Sequence, residues 1–362
     1  MKTYSITLLP GDGVGPEVTR AAREVLQAVG ERFRIRFAFD TQLIGGAAID
    51  ATGEALTQET LVSCRQSHAI FLGAVGGPKW DGGARRPEQG LLELRKALGL
   101  FANIRPVRVY EDLLDCSPLK REIVADVDLV VFRELTGGIY FGEKRRTARD
   151  ASDQCVYSVD EIERIAHPAF AAARARRGKV TSVDKANVME TSRLWREVVT
   201  SIHAESYPDV RLEHALVDSA AMQLIRSPRA YDVILTENMF GDILSDETSV
   251  LGGSIGLAPS ASLGASGPGL FEPVHGSAPD IAGRDLCNPI GAVLSVALLL
   301  RYGLGLTEEA NAVEAAVESA IAKGARTADL RGDLGCRAMA DTIVDDLLNS
   351  VSSSHCVQMH WG

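Results

Sequence analysis

The sequence lacks most features of secreted and membrane proteins. Its 362 residues include six cysteines, at positions 64, 116, 155, 287, 336 and 356, and none of them belongs to a C-x-x-C pair. We therefore expect reduced thiols and no disulfide framework. The longest apolar run, 292–300, is far shorter than the ~20 residues that cross a bilayer, and no signal-like segment precedes the strand-like run 4–9. These absences predict a cytoplasmic protein without a membrane partner.

The sequence also has fewer positively charged than negatively charged residues. Lys and Arg number 38 against 48 Asp and Glu, which gives a formal net charge of −10. An acidic surface repels phosphate groups, so nucleic acids and anionic membranes are not expected as partners. The hydrophobic content of 46% and the charged content of 24% are those of an ordinary globular chain. At roughly 150 residues per domain, this length predicts two domains.

Strand-like and helix-like segments alternate along most of the chain, which predicts an α/β architecture with helices covering a sheet. The predicted strands are 5–9, 35–39, 69–72, 129–132, 180–183 and 233–235, and the predicted helices begin at 16, 88, 159, 191 and 239. The helix from 159 follows a Ser158-x-x-Glu161 capping box and carries an apolar stripe. An exception lies between residues 137 and 158, where apolar residues flank the charged stretch 143–154. This pattern predicts a β-hairpin, either an arm that clasps another subunit or a plain surface hairpin.

A glycine cluster follows the first strand. Gly11, Gly13 and Gly15 lie between a strand and a helix, and Asp40 ends the second strand, as in a dinucleotide-binding fingerprint. The spacing, however, is G-x-G-x-G and not G-x-G-x-x-G. Glu17 also puts a carboxylate at the helix start, where a pyrophosphate would bind. The spacing therefore favours a tight strand–helix turn over a nucleotide site.

An acidic pair and a lysine could carry chemistry. Asp242 and Asp246 are four residues apart on a predicted helix, where like charges repel unless a cation lies between them. Carboxylate oxygens are preferred ligands of Mg²⁺ and Mn²⁺, although a solvated acidic face has the same spacing. Lys185 follows the strand 180–183 and is either a desolvated base or a loop cation.

Three arginines could bind a carboxylate substrate. On the predicted helix from 88, residues at i, i+3 and i+4 spacing form one face, which consists of Glu88, Leu91, Leu92 and Arg95. Arg105 and Arg133 lie at strand ends. Guanidinium groups bind carboxylates bidentately, so a converging set would suit a di- or tricarboxylate, whereas each arginine alone is more typical of a surface.

Several motifs occur together in one order, and they extend over nearly the whole chain. They are residues 9–17, 73–78, 86–95, 103–106, 133–142, 183–188, 238–246 with 252–256, and 275–283. In these stretches the sequence closely resembles the isocitrate/isopropylmalate β-decarboxylating dehydrogenase family. The resemblance implies a two-domain α/β fold with a large mixed sheet flanked by helices, distinct from the Rossmann fold. It also implies a cofactor-binding domain, 1–99 plus 252–362, and a dimerisation and substrate/metal domain, 100–251, with a hairpin arm near 137–158.

The resemblance also implies an activity: NAD-dependent oxidative decarboxylation of 3-isopropylmalate to 2-oxoisocaproate in leucine biosynthesis, by a homodimer with shared sites. In that reaction Lys185, which like Asp218 would come from the second subunit, would accept the C2 hydroxyl proton, and Tyr140 would protonate the enol carbon. The malate carboxylates would bind to Arg95, Arg105 and Arg133. The ligands of Mg²⁺ or Mn²⁺ would be Asp242, Asp246 and, from the second subunit, Asp218, which would also contact the substrate.

The implied cofactor site is separate from the N-terminal glycines. By resemblance, the adenosine half of NAD would bind to His275, Gly276, Ser277, Ala278, Asp280, Ile281 and Asn288. Asp280 would accept hydrogen bonds from a ribose 2′-hydroxyl and repel a 2′-phosphate, and NADP-using relatives have Lys and Tyr in place of Asp280 and Ile281. Asn288, before Pro289, is also a good helix N-cap.

Substrate choice within the family would depend on Glu88, Leu91 and Leu92. The two leucines favour a branched alkyl group, whereas a γ-carboxylate would need polar or cationic partners. Tartrate, D-malate and isocitrate dehydrogenases are the alternative enzymes. A non-catalytic metal- or nucleotide-binding relative is the alternative from another class, but it would not need both a base, Lys185, and an acid, Tyr140.

Overall fold

A computed structural model describes residues 2–349, which divide into two compact units. The first unit contains residues 2–99 and 253–349, and the second contains residues 100–252. Residues 350–362, the end of the predicted cofactor-binding domain, lie outside the described residues. The functions assigned to the two predicted domains stay predictions.

The described residues form twelve strands and twelve α-helices. The strands are β1 Thr3–Gly11, β2 Arg36–Thr41, β3 Ala69–Ala74, β4 Ala102–Arg108, β5 Asp128–Glu134, β6 Lys144–Arg146, β7 Ala151–Asp153, β8 Lys179–Asp184, β9 Arg211–Leu216, β10 Val233–Thr236, β11 Pro259–Leu263 and β12 Gly269–Pro273. The helices are α1 Gly15–Phe33, α2 Gly45–Thr52, α3 Gln58–Gln66, α4 Pro87–Ala97, α5 Arg121–Val124, α6 Val159–Ala175, α7 Glu190–Ser206, α8 Val217–Arg226, α9 Asn238–Ser249, α10 Ile290–Leu298, α11 Thr307–Ala322 and α12 Cys336–Asn349.

The first unit is a mixed sheet with helices packed on it. Its strand order is β2-β1-β3-β12-β11, with all neighbours parallel except β11 and β12. Every residue of α10 is buried, because this helix packs against α1, α11 and the strands β11 and β12. The long apolar run 292–300 is therefore a core segment. Within residues 2–349, no helix combines the length and the apolar content needed to cross a membrane.

The second unit is also built on a mixed sheet. Its strand order is β4-β5-β10-β8-β9, where β4 is antiparallel to β5 and the other neighbours are parallel. Apolar side chains of β5, α8 and α9, including Leu129, Leu224 and Leu244, share one buried cluster. The predicted mixed α/β class is thus confirmed in both units.

Local sequence signals place the helix ends well. Ser158 Oγ accepts a hydrogen bond from the Glu161 amide, and the Glu161 carboxylate accepts one from the Ser158 amide, so this capping box begins α6 where predicted. The C-terminus of another helix, α1, is capped by Arg34, which adopts the left-handed conformation with φ 57°. Its amide donates to Gly30 O, which closes the helix.

Several regions differ from the expected pattern. The paired strands β6 and β7 lie inside the charged stretch, while the apolar residues before it form a 3₁₀ turn, Gly138–Tyr140. Some elements were not predicted from the sequence, namely β9, β11, β12, α2, α3, α8, α10, α11 and α12. The residues of β9, for example, are mostly half-buried at the edge of the sheet and show little alternation. Arg105, expected at a strand end, lies in the middle of β4.

Candidate active site

The N-terminal glycine turn packs against the chain's own backbone. Gly13 has φ 57°, and a Cβ there would lie 1.9 Å from Ser277 O. The neighbouring Asp12 carboxylate accepts hydrogen bonds from the amides of Gly46, Ala47 and Gly76 at 2.7–2.9 Å. Burial raises the pKa of Asp12 in spite of these three donors. Asp12 thus stabilises the start of α2 and the turn after β3.

Glu17 and Asp40, the acidic residues near the glycine turn, also have hydrogen-bond partners within the first unit. The Glu17 carboxylate accepts from the amides of Gly283 and Asp285 at 2.7 and 3.0 Å. The Asp40 carboxylate accepts from Gln42 Nε2 and from Ser63 Oγ. Both side chains hold neighbouring segments of the same unit together.

In the second unit, two arginines and a tyrosine meet at Asp242. Arg133 Nη1 donates to Asp242 Oδ1, and Arg105 Nη2 lies 3.7 Å from the same oxygen. Tyr140 OH donates to Asp242 Oδ2 at 2.8 Å. The three groups come from β5, β4 and the 3₁₀ turn after β5, and they meet on α9 because β4 and β5 are adjacent strands.

Asp246, one turn further along α9, belongs to the same cluster. Arg105 Nη1 donates to Asp246 Oδ1 at 3.2 Å and to Ser245 Oγ at 2.6 Å. The guanidinium group of Arg105 therefore neutralises part of the repulsion between the two carboxylates. The Asp246 side chain is 57% exposed, against 36% for Asp242, so it is the more accessible oxygen ligand.

The cluster shifts its members' pKa values in different directions. Burial acts to raise the pKa of Asp242, but Arg133, Arg105 and the Tyr140 hydroxyl together hold it below its usual range. Burial, with the Asp242 carboxylate, raises the pKa of Asp246 in spite of Arg105. Burial and the same carboxylate raise the pKa of Tyr140 to about 12. Tyr140 is therefore a protonated donor at neutral pH.

Lys185 and Asp218 form a separate pair in the second unit. Lys185 follows the last residue of β8, and Asp218 lies in the first turn of α8. Lys185 Nζ donates to Asp218 Oδ1 at 2.6 Å. This hydrogen bond lowers the pKa of the Asp218 carboxyl. Lys185, the predicted base, is thus hydrogen-bonded to Asp218, a predicted metal ligand.

The predicted metal ligands Asp242 and Asp246 lie one turn apart on α9. Asp242 and Asp246 offer carboxylate oxygens, the donors that Mg²⁺ and Mn²⁺ prefer. Among residues 2–349, no group of three His, Cys, Asp or Glu side chains could hold a metal ion. The two aspartates therefore offer part of the donor set that a divalent cation needs, and the metal site stays a prediction.

In the first unit, helix α4 carries the other predicted substrate residues. Arg95 is buried, and its Nη2 donates to Glu272 Oε1 at 2.7 Å. Arg95 Nε is buried without a hydrogen-bond partner among residues 2–349. Glu88 is exposed and Leu91 and Leu92 are half-buried, whereas the neighbouring Leu94 is completely buried. The two leucines thus keep apolar surface available for a ligand.

The segment predicted to bind adenosine is an irregular loop after β12. Its first residue, His275, donates from Nδ1 to Gly276 O at 2.9 Å, while its Nε2 is buried without a partner among the described residues. Burial lowers the pKa of His275, so Nε2 is an unprotonated acceptor. Ser277 is buried and Ala278 has φ 38°. An orphaned acceptor and open backbone at Gly276, where a Cβ would meet nothing within 4 Å, fit a nucleotide ligand.

The remaining predicted cofactor residues lie further along the same unit. Asp280 is exposed and Ile281 is half-buried. Asn288 Oδ1 accepts from the Ile290 amide at 3.0 Å at the start of α10, and its Nδ2 donates to Asp329 Oδ2 at 3.0 Å. Asn288 therefore acts as a helix cap and is fixed by an aspartate that sequence reasoning did not select.

Comparisons with known proteins assign the family. The family model described as isocitrate/isopropylmalate dehydrogenase matches residues 5–343. The chain belongs to the isocitrate/isopropylmalate dehydrogenase family. A 3-isopropylmalate dehydrogenase of Geobacillus kaustophilus (strain HTA426) is 57% identical over 358 residues, 97% of this chain and 96% of that protein. Another, of Anaeromyxobacter dehalogenans (strain 2CP-C), is 58% identical over 349 residues, 94% of this chain and 99% of that protein.

A solved structure supports the same family. The isocitrate dehydrogenase from Methylococcus capsulatus matches with a TM-score of 0.86 and 38% sequence identity, covering 95% of this chain and 99% of that chain. Membership of the isocitrate/isopropylmalate dehydrogenase family confirms the resemblance inferred from the motifs. It also confirms the prediction that the chain is a decarboxylating dehydrogenase. The roles of individual residues stay predictions.

Two residues that hydrogen-bond to predicted site residues were not selected from the sequence. Glu272, the partner of Arg95, is the second-last residue of the apolar strand β12, and Asn238 begins α9 before the acidic pair. Each lies just where a strand or helix boundary meets the site, which is a signal that sequence reasoning could have used. Neither belongs to a spacing pattern of its own: Asn238 lies within the motif 238–246, and Glu272 lies outside all of the motifs.

Proposed function

We propose that this chain catalyses the NAD⁺-dependent oxidative decarboxylation of 3-isopropylmalate to 2-oxoisocaproate, a step of leucine biosynthesis. The observation that carries the proposal is the convergence of Arg105, Arg133 and Tyr140 on Asp242 of α9. Two guanidinium groups can bind substrate carboxylates, and a protonated hydroxyl can donate a proton to the carbon that loses CO₂ after the alcohol has been oxidised. The relatives named as 3-isopropylmalate dehydrogenases support the substrate.

The arginines bind the substrate carboxylates. Arg105 and Arg133 each have a nearly buried guanidinium group, so a carboxylate that reaches them does so with little competing water. Arg95 binds a carboxylate as well, and its buried Nε has no hydrogen-bond partner among residues 2–349. These contacts hold the reacting carbons in a fixed orientation.

Lys185 and Tyr140 move the protons. Lys185 Nζ of the second subunit, as a neutral amine, accepts the proton of the C2 hydroxyl while the hydride leaves for NAD⁺. The Asp218 carboxylate orients this amine by accepting a hydrogen bond from it. Tyr140 OH protonates the carbon from which CO₂ has left. Its raised pKa, about 12, keeps the phenol protonated until the carbanionic carbon accepts the proton.

The chain's residues also fit the two groups that the reaction needs. Asp242 and Asp246, with Asp218 of a second subunit, hold Mg²⁺ or Mn²⁺, which supplies Lewis acidity when bound. His275, Gly276, Ser277, Ala278, Asp280, Ile281 and Asn288 hold the adenosine half of NAD⁺, which supplies the hydride acceptor. Asp280 is exposed and can accept hydrogen bonds from a ribose hydroxyl.

A homodimer completes each site in this proposal. On α8, Asp218, Met222 and Ile225 share one exposed face, with Met222 60% exposed. On α9, Ile243 and Asp246 share another exposed face, with Ile243 60% exposed. An apolar face that continues from a metal-binding aspartate suits a second copy of the chain better than solvent. The hairpin of β6 and β7 is the proposed arm, and a cytoplasmic location stays a prediction.

Substrate comparison tests the proposal. NAD⁺ reduction should be measured with 3-isopropylmalate, isocitrate, D-malate and tartrate at equal concentrations, with Mg²⁺ or Mn²⁺ present. We expect kcat/KM for 3-isopropylmalate to exceed the others by at least tenfold, because Leu91 and Leu92 offer an apolar contact to its alkyl group. Faster turnover of isocitrate or D-malate would assign another substrate within the family.

A further inference from the structure

Asn238, the first residue of α9, is completely buried and uses all of its side-chain hydrogen-bonding capacity. Its Oδ1 accepts from Arg133 Nε at 3.0 Å and from Arg133 Nη2 at 2.8 Å. Its Nδ2 donates to Leu135 O at 3.0 Å and to Gly137 O at 3.1 Å. An amide has two acceptor and two donor positions, and all four are occupied here.

The contact with Arg133 sets the orientation of its guanidinium plane. Two N–H groups on one edge point to a single oxygen of Asn238, so the planar group cannot rotate without losing both bonds. The third nitrogen, Nη1, is then directed to Asp242 Oδ1. Arg133 is 2% exposed, and without this acceptor two buried N–H groups would lose a partner.

The contact with residues 135–137 sets the approach to Tyr140. This stretch is irregular and joins β5 to the 3₁₀ turn that carries Tyr140. Its carbonyls are held by Asn238, and the amides of Thr136 and Gly137 donate to the Glu134 carboxylate. Asn238 is therefore the side chain that connects the backbone leading to Tyr140 with the guanidinium of Arg133.

The backbone of Asn238 is also held in place by hydrogen bonds. Its backbone amide donates to Tyr157 OH at 2.9 Å, and Tyr157 OH donates to Glu237 Oε2 at 3.1 Å. The other oxygen of Glu237 accepts from the Phe240 amide at 2.6 Å, which caps α9. Burial raises the pKa values of both Tyr157 and Glu237. The helix start, and with it Asp242 one turn later, is thus held by the same set of bonds.

We propose that Asn238 is a positioning residue that places Arg133 for carboxylate binding and Tyr140 for proton donation at the same time. The inference rests on the proposed function, since it assigns Arg133 and Tyr140 those two roles. Asn238 touches no reacting atom in this account. Asn238 couples the two groups because its Oδ1 accepts from Arg133, while its Nδ2 donates to the backbone carbonyls that lead to Tyr140.

Two substitutions of Asn238 distinguish its contact with Arg133 from its contact with the backbone of residues 135–137. Asn238→Asp keeps an oxygen acceptor for Arg133, but its second oxygen faces the carbonyls of Leu135 and Gly137 and repels them. Asn238→Ala removes both contacts. We expect both variants to lower kcat for 3-isopropylmalate by about 10- to 100-fold, the usual range for residues that orient a binding or catalytic group. The calorimetric Kd for 3-isopropylmalate should rise at least threefold more in Asn238→Ala than in Asn238→Asp.

A readout independent of turnover accompanies the kinetics. In hydrogen–deuterium exchange of the full-length protein, peptides covering 135–140 should exchange at least fivefold faster in both variants, while peptides of β8 and α7 stay unchanged. Asp232→Asn is the matched control, because Asp232 is also buried and hydrogen-bonded but lies just before the opposite end of β10. It should lower the thermal midpoint without accelerating exchange in 135–140.

The outcomes separate this inference from the proposed function. A wild-type protein that prefers another substrate overturns the proposed function, and the kinetic comparison is then made with that substrate. Wild-type kcat and Kd in Asn238→Ala, or unchanged exchange in 135–140, would overturn the positioning role. An equal loss of kcat in Asp232→Asn would also overturn it, since general destabilisation would then explain the effect.

Discussion

Asp280 is the residue on which cofactor choice should depend. Its carboxylate is exposed on the loop after β12 and can accept hydrogen bonds from a ribose 2′-hydroxyl, whereas a 2′-phosphate would meet a like charge. We expect kcat/KM with NAD⁺ to exceed that with NADP⁺ by at least tenfold. Asp280→Lys with Ile281→Tyr should narrow this ratio, and Asp280→Asn, which removes only the charge, should narrow it less. Equal use of both cofactors by the wild type would contradict the assignment.

His275 should make stability depend on pH. Burial holds the pKa of His275 below its ordinary value of 6.5, and Nε2 has no partner among residues 2–349 to accept from it when protonated. Above pH 6.5 the ring is neutral in both the folded and the unfolded chain. As the pH falls below 6.5, the unfolded chain binds a proton that the folded chain does not, so stability is lost.

The prediction for His275 is a difference between two proteins. The thermal midpoint of the wild type should fall more steeply between about pH 6.5 and 5 than that of His275→Asn. Asparagine keeps an N–H donor near the position of Nδ1, and the other histidines contribute equally to both proteins. Parallel pH profiles in differential scanning fluorimetry would show that His275 is freely protonated in the folded state.

At the scale of an element, helix α4 carries two leucines that we expect to determine substrate specificity and a third that packs in the core. Leu91 and Leu92 are half-buried, whereas Leu94 of the same helix is 0% exposed. Leu91→Ala with Leu92→Ala should lower kcat/KM for 3-isopropylmalate by roughly 10²-fold or more, at one to three kcal/mol for each lost apolar contact. D-Malate lacks the alkyl group and should be affected less.

Leu94→Ala is the matched control on α4. It creates a core cavity and should cost about 2–5 kcal/mol in the free energy of unfolding, with no preference between the two substrates. Chemical denaturation and kinetics of both variants provide the comparison. If the double variant slows both substrates in parallel, Leu91 and Leu92 serve packing alone.

At the scale of the whole molecule, the proposal of shared sites predicts complementation. Lys185→Ala and Asp242→Ala homodimers should each be nearly inactive. In a mixed dimer, the site built on the Lys185→Ala chain keeps its own Asp242 and receives Lys185 from the other chain, while the second site carries both changes. Co-expressed heterodimers, purified with two different tags, should therefore approach half of the wild-type activity. Heterodimers as inactive as their parents would show that Lys185 acts within its own chain.

Elements with local signals were predictable from sequence, and the site's framework was not. The capping box at Ser158 and the amphipathic residues after it predicted α6 because helix contacts join residues three or four apart. Strand β9 gave no such signal, because its half-buried residues do not alternate clearly. The position of the paired strands β6 and β7 within the charged stretch also depended on backbone pairing and not on side-chain pattern.

The sequence by itself determined the α/β class and, through motifs in a single order, the family. Only the tertiary structure decided how the chemical groups meet. Arg105 reaches Ser245 across 140 residues, and Arg133 reaches Asn238 across 105. Such contacts follow from the strand order β4-β5-β10-β8-β9, which no local pattern encodes. Periodicity reports which side of an element is buried, but hydrogen bonds between distant residues depend on which elements become neighbours.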